Sequence, residues 1–238
     1  MKLLRPHHQT IWSILEALNG PFLIEYNILF GGGTRIAMEL GEYRESIDID
    51  LFCVGRESYK AARSSITQNS FGDIFQPGKQ PALYKGREIR ADRDAIRSII
   101  DGSGRPIKLE LIQFDEQGIL ADSRTSLFPV PFVAQESCFS TKLLANADRY
   151  RSSNKDLIDL CMMRKEWGGI PDSAWQAAVN HYGEAVISRS LRQSLELITC
   201  KPEESVERLV DEMQIEPELA SSLINDTAKS WLRRLQGH

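Results

Sequence analysis

The chain has 238 residues, 42% of them hydrophobic and 26% charged, ordinary values for a globular protein and enough for one large domain or two small ones. A formal net charge of −4 and a pI near 5.7 argue against a broad basic field, so any nucleic-acid contact has to come from a local patch. No apolar run approaches the length of a membrane span, and the start, Met1 to His8, is too short and polar for a secretory signal.

In chain order, residues 9–18 are amphipathic and read as a helix closed by Asn19-Gly20-Pro21. Residues 28–30 are a short apolar strand leading into glycines, and 34–40 a short helix stopped at Gly41. Residues 46–54 read as a strand, 58–68 as a helix and 69–85 as loops with short strands. The stretch 92–100 reads as helical, closed by Asp101-Gly102-Ser103-Gly104, and 107–114 alternates as a central strand. After Pro129-Val130-Pro131 helical periodicity takes over: 136–150, 155–167, 173–181, 183–198, 203–213 and 218–235. Mixed α/β followed by all-helical sequence predicts an α+β chain, with a core over residues 1–130 and a helical C-terminal region over 131–238. Cys53, Cys138, Cys161 and Cys200 are far apart and show no Cys-x-x-Cys spacing. They indicate neither a zinc site nor a disulfide framework, but reduced thiols in a cytoplasmic protein.

Asp48 and Asp50 stand at i and i+2 in the apolar stretch 47–52, so both carboxylates share one face of a strand. Two such carboxylates repel unless a cation sits between them, and Mg²⁺ suits hard oxygen ligands. Upstream, Gly32 and Gly33 allow backbone N–H groups close to a phosphate, and Thr34 can cap the helix that follows. Glu110, in the apolar stretch 107–112, is a candidate third carboxylate; alternatively it faces solvent and pairs with Lys108 or Arg105. Lys142 can offer an ammonium to a triphosphate or stay solvated. Asp156 starts a helix and can serve as its cap, while Asp159, one turn on, can orient Lys142 or Arg149. Arg87, Arg90, Arg93 and Arg97 form a stripe if their segment is helical, open to an RNA backbone or paired with Glu88, Asp92 and Asp94. His7 and His8 suggest no role, and His181 reads as structural.

Gly32, Gly33, Thr34, Gly41, Arg44, Ser46, Asp48 and Asp50 resemble the motif of the AbiEii/AbiGii toxin family, within the nucleotidyltransferase superfamily typified by DNA polymerase beta. Lys142, Ala145, Arg149, Lys155, Asp156 and Asp159 fit that family's second motif, and the likeness covers residues 28–54 and 106–165. Glu110 departs from it, since the family usually has Asp there. The resemblance implies a polymerase-beta-like core, a small mixed sheet with helices, ahead of the helical region. It also implies Mg²⁺-dependent transfer of a nucleoside monophosphate from an NTP to an acceptor such as tRNA, in a toxin with an antitoxin partner. By that likeness Asp48, Asp50 and Glu110 hold two metal ions. Gly32, Gly33, Thr34, Arg44, Ser46, Lys142, Asp156 and Asp159 bind nucleotide, and Lys142 neutralises developing charge. Transfer to a small molecule such as an aminoglycoside, transfer to a protein hydroxyl, and a nucleotide-binding module without turnover are the alternatives. Beyond residue 168 no motif is legible.

Overall fold

Alternating aliphatic residues build the sheet that positions the candidate site. The computed structural model describes residues 2–115 and 118–237, leaving Met1, Glu116, Gln117 and His238 outside the described residues. Its strands are β1 (Ile28–Gly31), β2 (Asp48–Val54), β3 (Arg90–Ala91), β4 (Ala95–Gly102) and β5 (Arg105–Phe114). They pair in the order β1-β2-β5-β4-β3, with β2 and β5 parallel and the remaining neighbours antiparallel. The chain divides into two compact units, Met1–Glu42 with Ser46–Ala134, and Tyr43–Glu45 with Gln135–His238.

The first unit also holds helices α1 (Pro6–Ala17), α2 (Gly20–Glu25), α3 (Gly32–Glu39) and α4 (Arg56–Ser65). Ile49, Leu51 and Cys53 of β2 share one sheet face with Leu109 and Leu111 of β5, and form a core with Ile11 and Leu15 of α1 and Tyr59 and Ala62 of α4. Asp48 and Asp50 alternate to the opposite face. Burial pushes the Cys53 thiol up to about 12, which keeps it protonated at neutral pH.

Three elements differ from the sequence reading. The segment expected to be helical over 92–100 is strand β4, because Ser103 and Gly104, with φ of +57° and +87°, close a two-residue hairpin onto β5. Ile96, Ile99 and Ile100 mimic helical spacing, but β-branched side chains suit a strand beside a long neighbour. The arginine stripe disappears with that helix: Arg90 and Arg97 are cross-strand partners, and Arg93 stands in the β3–β4 turn. Asn19-Gly20-Pro21 ends one helix and starts α2, whose Phe22 N–H donates to Asn19 Oδ1 at 3.4 Å.

The second unit is helical: α5 (Gln135–Arg149), α6 (Lys155–Trp167), α7 (Asp172–Tyr182), α8 (Glu184–Thr199), α9 (Pro202–Met213), α10 (Pro217–Ser222) and α11 (Lys229–Gln236). The single helix expected over 218–235 is α10 and α11 joined by a π-helical stretch, Leu223–Ala228. Among the described residues no helix is long and apolar enough to cross a membrane.

Candidate active site

The register of the sheet decides which side chains can meet. Parallel pairing sets Asp48 beside Lys108 and Asp50 beside Glu110, while β4 sets Arg97 beside Glu110. In-register neighbours share a face, so Asp48, Asp50 and Glu110 all lie on the side away from the aliphatic core. Their surroundings differ. Asp48 and Asp50 are partly exposed, whereas the Glu110 carboxylate is buried and accepts from Lys108 Nζ at 2.5 Å and Arg97 Nε at 3.0 Å. Arg97 also reaches Asp92. Glu110 thus stands in a cross-strand ion-pair cluster that includes Lys108, one of the partners read from the sequence.

The glycine turn meets this face directly. A Cβ on Gly31 would fall 2.7 Å from the Phe52 ring, and a Cβ on Gly32 would fall 1.9 Å from Asp50 Oδ2. Gly32 also has φ +71°, a conformation that favours glycine. Both constraints require a bare backbone beside Asp50. Gly33 follows in the first turn of α3.

Thr34 does not cap α3. The helix begins at Gly32 with Gly31 in the capping position, and Thr34 lies inside its first turn. Its hydroxyl donates to the Asp48 carbonyl at 2.5 Å and lies 2.8 Å from Ser46 Oγ, tying the helix to the start of β2. Ser46 is held from the other side by His8, whose Nε2 accepts the Ser46 N–H at 3.1 Å. Its Nδ1 lies 2.8 Å from Glu42 Oε1, so a neutral ring protonated on Nδ1 satisfies both contacts. Burial lowers the His8 pKa even though Glu42 opposes the shift. Nothing in the sequence marked His8, a histidine on an amphipathic helix whose partners lie 34 and 38 residues away.

The remaining sequence candidates come together inside the second unit. The Arg44 guanidinium grips Asp159 with Nε to Oδ1 at 2.7 Å and Nη2 to Oδ2 at 2.9 Å, and Tyr43 donates its hydroxyl to the same carboxylate. Lys142 Nζ lies 2.6 Å from Asp159 Oδ2 and 2.8 Å from Asp156 Oδ1. Arg149 completes the cluster, with Nε 2.6 Å and Nη2 2.9 Å from Asp156. Lys142, Asp156 and Asp159 are buried, so Lys142 is neither a solvated side chain nor loosely held. Burial alone would lower the Lys142 pKa, but Asp159 and Asp156 outweigh it and hold the ammonium above the ordinary lysine range. Burial raises Asp159, yet Arg44 and Lys142 hold it well below the usual carboxylate range. Asp156 directs its carboxylate to Lys142 and Arg149.

Among the described residues no group of three or more His, Cys, Asp and Glu side chains converges on a point where a metal could sit. Asp48 and Asp50 nonetheless suit Mg²⁺, which is commonly held by one or two carboxylates together with substrate phosphates. The absence of a side chain at Gly32 lets the Asp50 carboxylate lie directly against the glycine turn.

A family model described as nucleotidyl transferase AbiEii toxin, type IV toxin–antitoxin system, matches residues 14–233. None of the curated proteins matches the chain. A crystal structure from H. pylori, described as a candidate nucleotidyltransferase, aligns with 97% of this chain and 95% of its own at 15% identity and a TM-score of 0.52. A second Helicobacter pylori protein, JHP933, covers 97% of this chain and 92% of its own at 16% identity and the same TM-score, 0.52. At such identities the likeness is one of fold. The family match spans nearly the whole sequence, both motifs and both units included, and the chain belongs to the AbiEii family of nucleotidyltransferase toxins of type IV toxin–antitoxin systems.

Proposed function

We propose that the protein transfers a nucleoside monophosphate from an NTP to an RNA acceptor such as tRNA, with Mg²⁺, and that a cognate antitoxin restrains it. The carrying observation is the bare turn at Gly32, where a Cβ would stand 1.9 Å from the Asp50 carboxylate. The glycine turn and the carboxylate pair thus adjoin, which supports a reading in which the backbone accepts phosphate beside metal-holding carboxylates.

In this reading Asp48 and Asp50 hold Mg²⁺, which supplies charge neutralisation on the triphosphate when bound. The Gly32 and Gly33 backbone cradles the phosphates, and Thr34 and Ser46 fix the start of β2 so that Asp48 is correctly placed. The acceptor hydroxyl oxygen bonds to the α-phosphorus as the bond to the bridging oxygen breaks. Pyrophosphate leaves, and the hydroxyl proton passes to a carboxylate of the same face. Glu110, buffered by Lys108 and Arg97, shapes the field around Asp50. Arg44, Lys142, Asp156 and Asp159 act through the integrity of the segment 43–45, which runs directly into Ser46 and, three positions after Glu45, Asp48, because their charges are already spent on one another.

The experiment is incubation with Mg²⁺ and each α-labelled NTP in the presence of RNA, protein and small-molecule fractions. Label should enter the RNA, and should disappear with Asp48→Ala or Asp50→Ala. Label in the protein or small-molecule fraction would replace RNA as the acceptor. No metal-dependent labelling at all would reduce the protein to a nucleotide-binding module.

A further inference from the structure

The first unit carries a second concave surface at the far end of β2. This cleft, of about 680 Å³, is lined by Arg56, Lys60 and Arg63 of α4, Arg93 of the β3–β4 turn and Gln113 of β5. Tyr59, also in its wall, donates its hydroxyl to the Asp92 carbonyl at 2.7 Å and ties the helix to the turn. Asp48 opens β2 and Arg56 follows its end; at about 3.3 Å per residue the strand separates them by roughly 20 Å. The cleft is therefore distinct from the glycine turn.

Its charge is locally reversed against the chain as a whole. Four cations and two carboxylates, Asp92 and Asp94, line it, in a protein of net charge −4. Asp92 is occupied, accepting from the amides of Asp94 and Ala95 and from Arg97, whereas Asp94 is exposed and only faces Arg93 at 3.8 Å. Lys60 pairs with Glu57 at 2.5 Å. Arg56 and Arg63 make no ion pair among the described residues. Positions 56, 60 and 63 follow i, i+4, i+7 spacing, so their side chains project from one face of α4 in a row about 10 Å long. An open row of exposed cations suits a run of phosphates along a polymer better than one small anion, which calls for converging, buried donors.

We propose that this cleft binds the phosphodiester backbone of the RNA acceptor, steering it to the protein from a site apart from the carboxylates. The proposal rests on the reading that the acceptor is RNA. It also gives Arg93 of the former stripe a place in RNA contact that no helical face provides.

The test is binding of fluorescein-labelled unfractionated tRNA, measured by anisotropy over a series of salt concentrations, for wild type and for Arg56→Glu combined with Arg63→Glu. The variant should bind at least tenfold more weakly, with the slope of log affinity against log salt reduced by about 1.5, as expected for two lost phosphate contacts. Mg–NTP binding and melting temperature should not change, because both arginines are exposed and outside the glycine turn. The milder pair Arg56→Gln and Arg63→Gln should give an intermediate loss. Equal tRNA affinity in wild type and variant, with labelling of RNA intact, overturns the cleft and leaves the acceptor reading standing. Displacement of tRNA by ATP as efficiently as by unlabelled tRNA also overturns it, making the cleft a mononucleotide pocket. A wild type that labels another fraction and does not bind tRNA overturns both readings.

Discussion

Two pairs of aspartates, close in sequence and flanked by basic residues, are treated in opposite ways by the two units. Asp48 and Asp50 sit on a strand, partly exposed, with a bare glycine backbone against Asp50. Asp156 and Asp159 sit on a helix, fully buried, with their oxygens taken by Arg44, Lys142, Arg149 and Tyr43. Burying a carboxylate costs several kcal/mol unless it is fully partnered, so the helical pair is saturated by necessity. Asp159 accepts four such contacts and Asp156 three, so these carboxylates are largely spent within the protein. In the proposed reading the strand pair takes up the ligand, and the helical pair contributes by holding its unit together.

The largest effect that would break this contrast is on turnover. Asp50→Ala or Asp48→Ala should lower nucleotide transfer by about 10²–10³-fold, the value of several kcal/mol of metal-derived stabilisation. The melting temperature should change little, since both carboxylates are partly exposed. Wild-type turnover in either variant would place the chemistry elsewhere.

Next in size comes the buried cluster. Asp159→Ala leaves Arg44 and Lys142 without their shared counter-ion and should cost about 3–5 kcal/mol in urea unfolding. Lys142→Ala should be similarly destabilising, because it strips Asp156 and Asp159 of a shared cation. A soluble, fully stable Lys142→Ala protein with impaired NTP binding would instead make Lys142 a substrate contact. The same cluster predicts an acid limit. The folded pKa of Asp159 is depressed, so its stabilisation is complete above the unfolded carboxylate value near 3.9 and is lost as pH falls through the lower folded value. Asp159→Asn should flatten that part of a pH–stability curve.

Glu110 lies between the two cases, and its variants sharpen the comparison. Glu110→Asp should retain transfer, whereas Glu110→Gln should lose about tenfold, roughly 1.4 kcal/mol in the barrier. Arg97 and Lys108 are about half exposed, so unfolding should register under about 1 kcal/mol. Equal activity of Glu110→Gln and wild type would leave Glu110 as an ion-pairing strand residue only.

Smaller effects are expected at two buried polar groups. The Asn146 side chain is buried in α5, and neither Oδ1 nor Nδ2 meets a hydrogen-bond partner among the described residues. Asn146→Leu should therefore raise stability by about 1 kcal/mol; a loss of that size would point to a buried water bridging the amide. His8 is kept neutral by burial and has a depressed folded pKa, so its contribution is present above the unfolded value near 6.5 and is lost as pH falls below it. His8→Gln should flatten the stability profile between pH 7 and 5. An unchanged profile would show that His8 does not hold Ser46.

Local pattern alone determined much of this protein. Period-two alternation put Asp48 and Asp50 on one face, and helical periodicity found α5 to α9 to within a residue or two at each end. These are properties of neighbours in sequence, which is why a linear reading captures them. Tertiary structure decided the rest. Strand β4 exists because a positive-φ hairpin folds it onto β5, which overrides a spacing compatible with a helix. Glu110 meets Arg97 across the ladder from 13 positions away, and Lys108 from the same strand, because sheet register brings them together. Arg44 reaches Asp159 from 115 residues away. An ammonium or guanidinium looks the same in a sequence whether solvated, buried or poised for substrate. Only the distant carboxylates that surround it in the folded chain, and the desolvation they must offset, decide which it becomes.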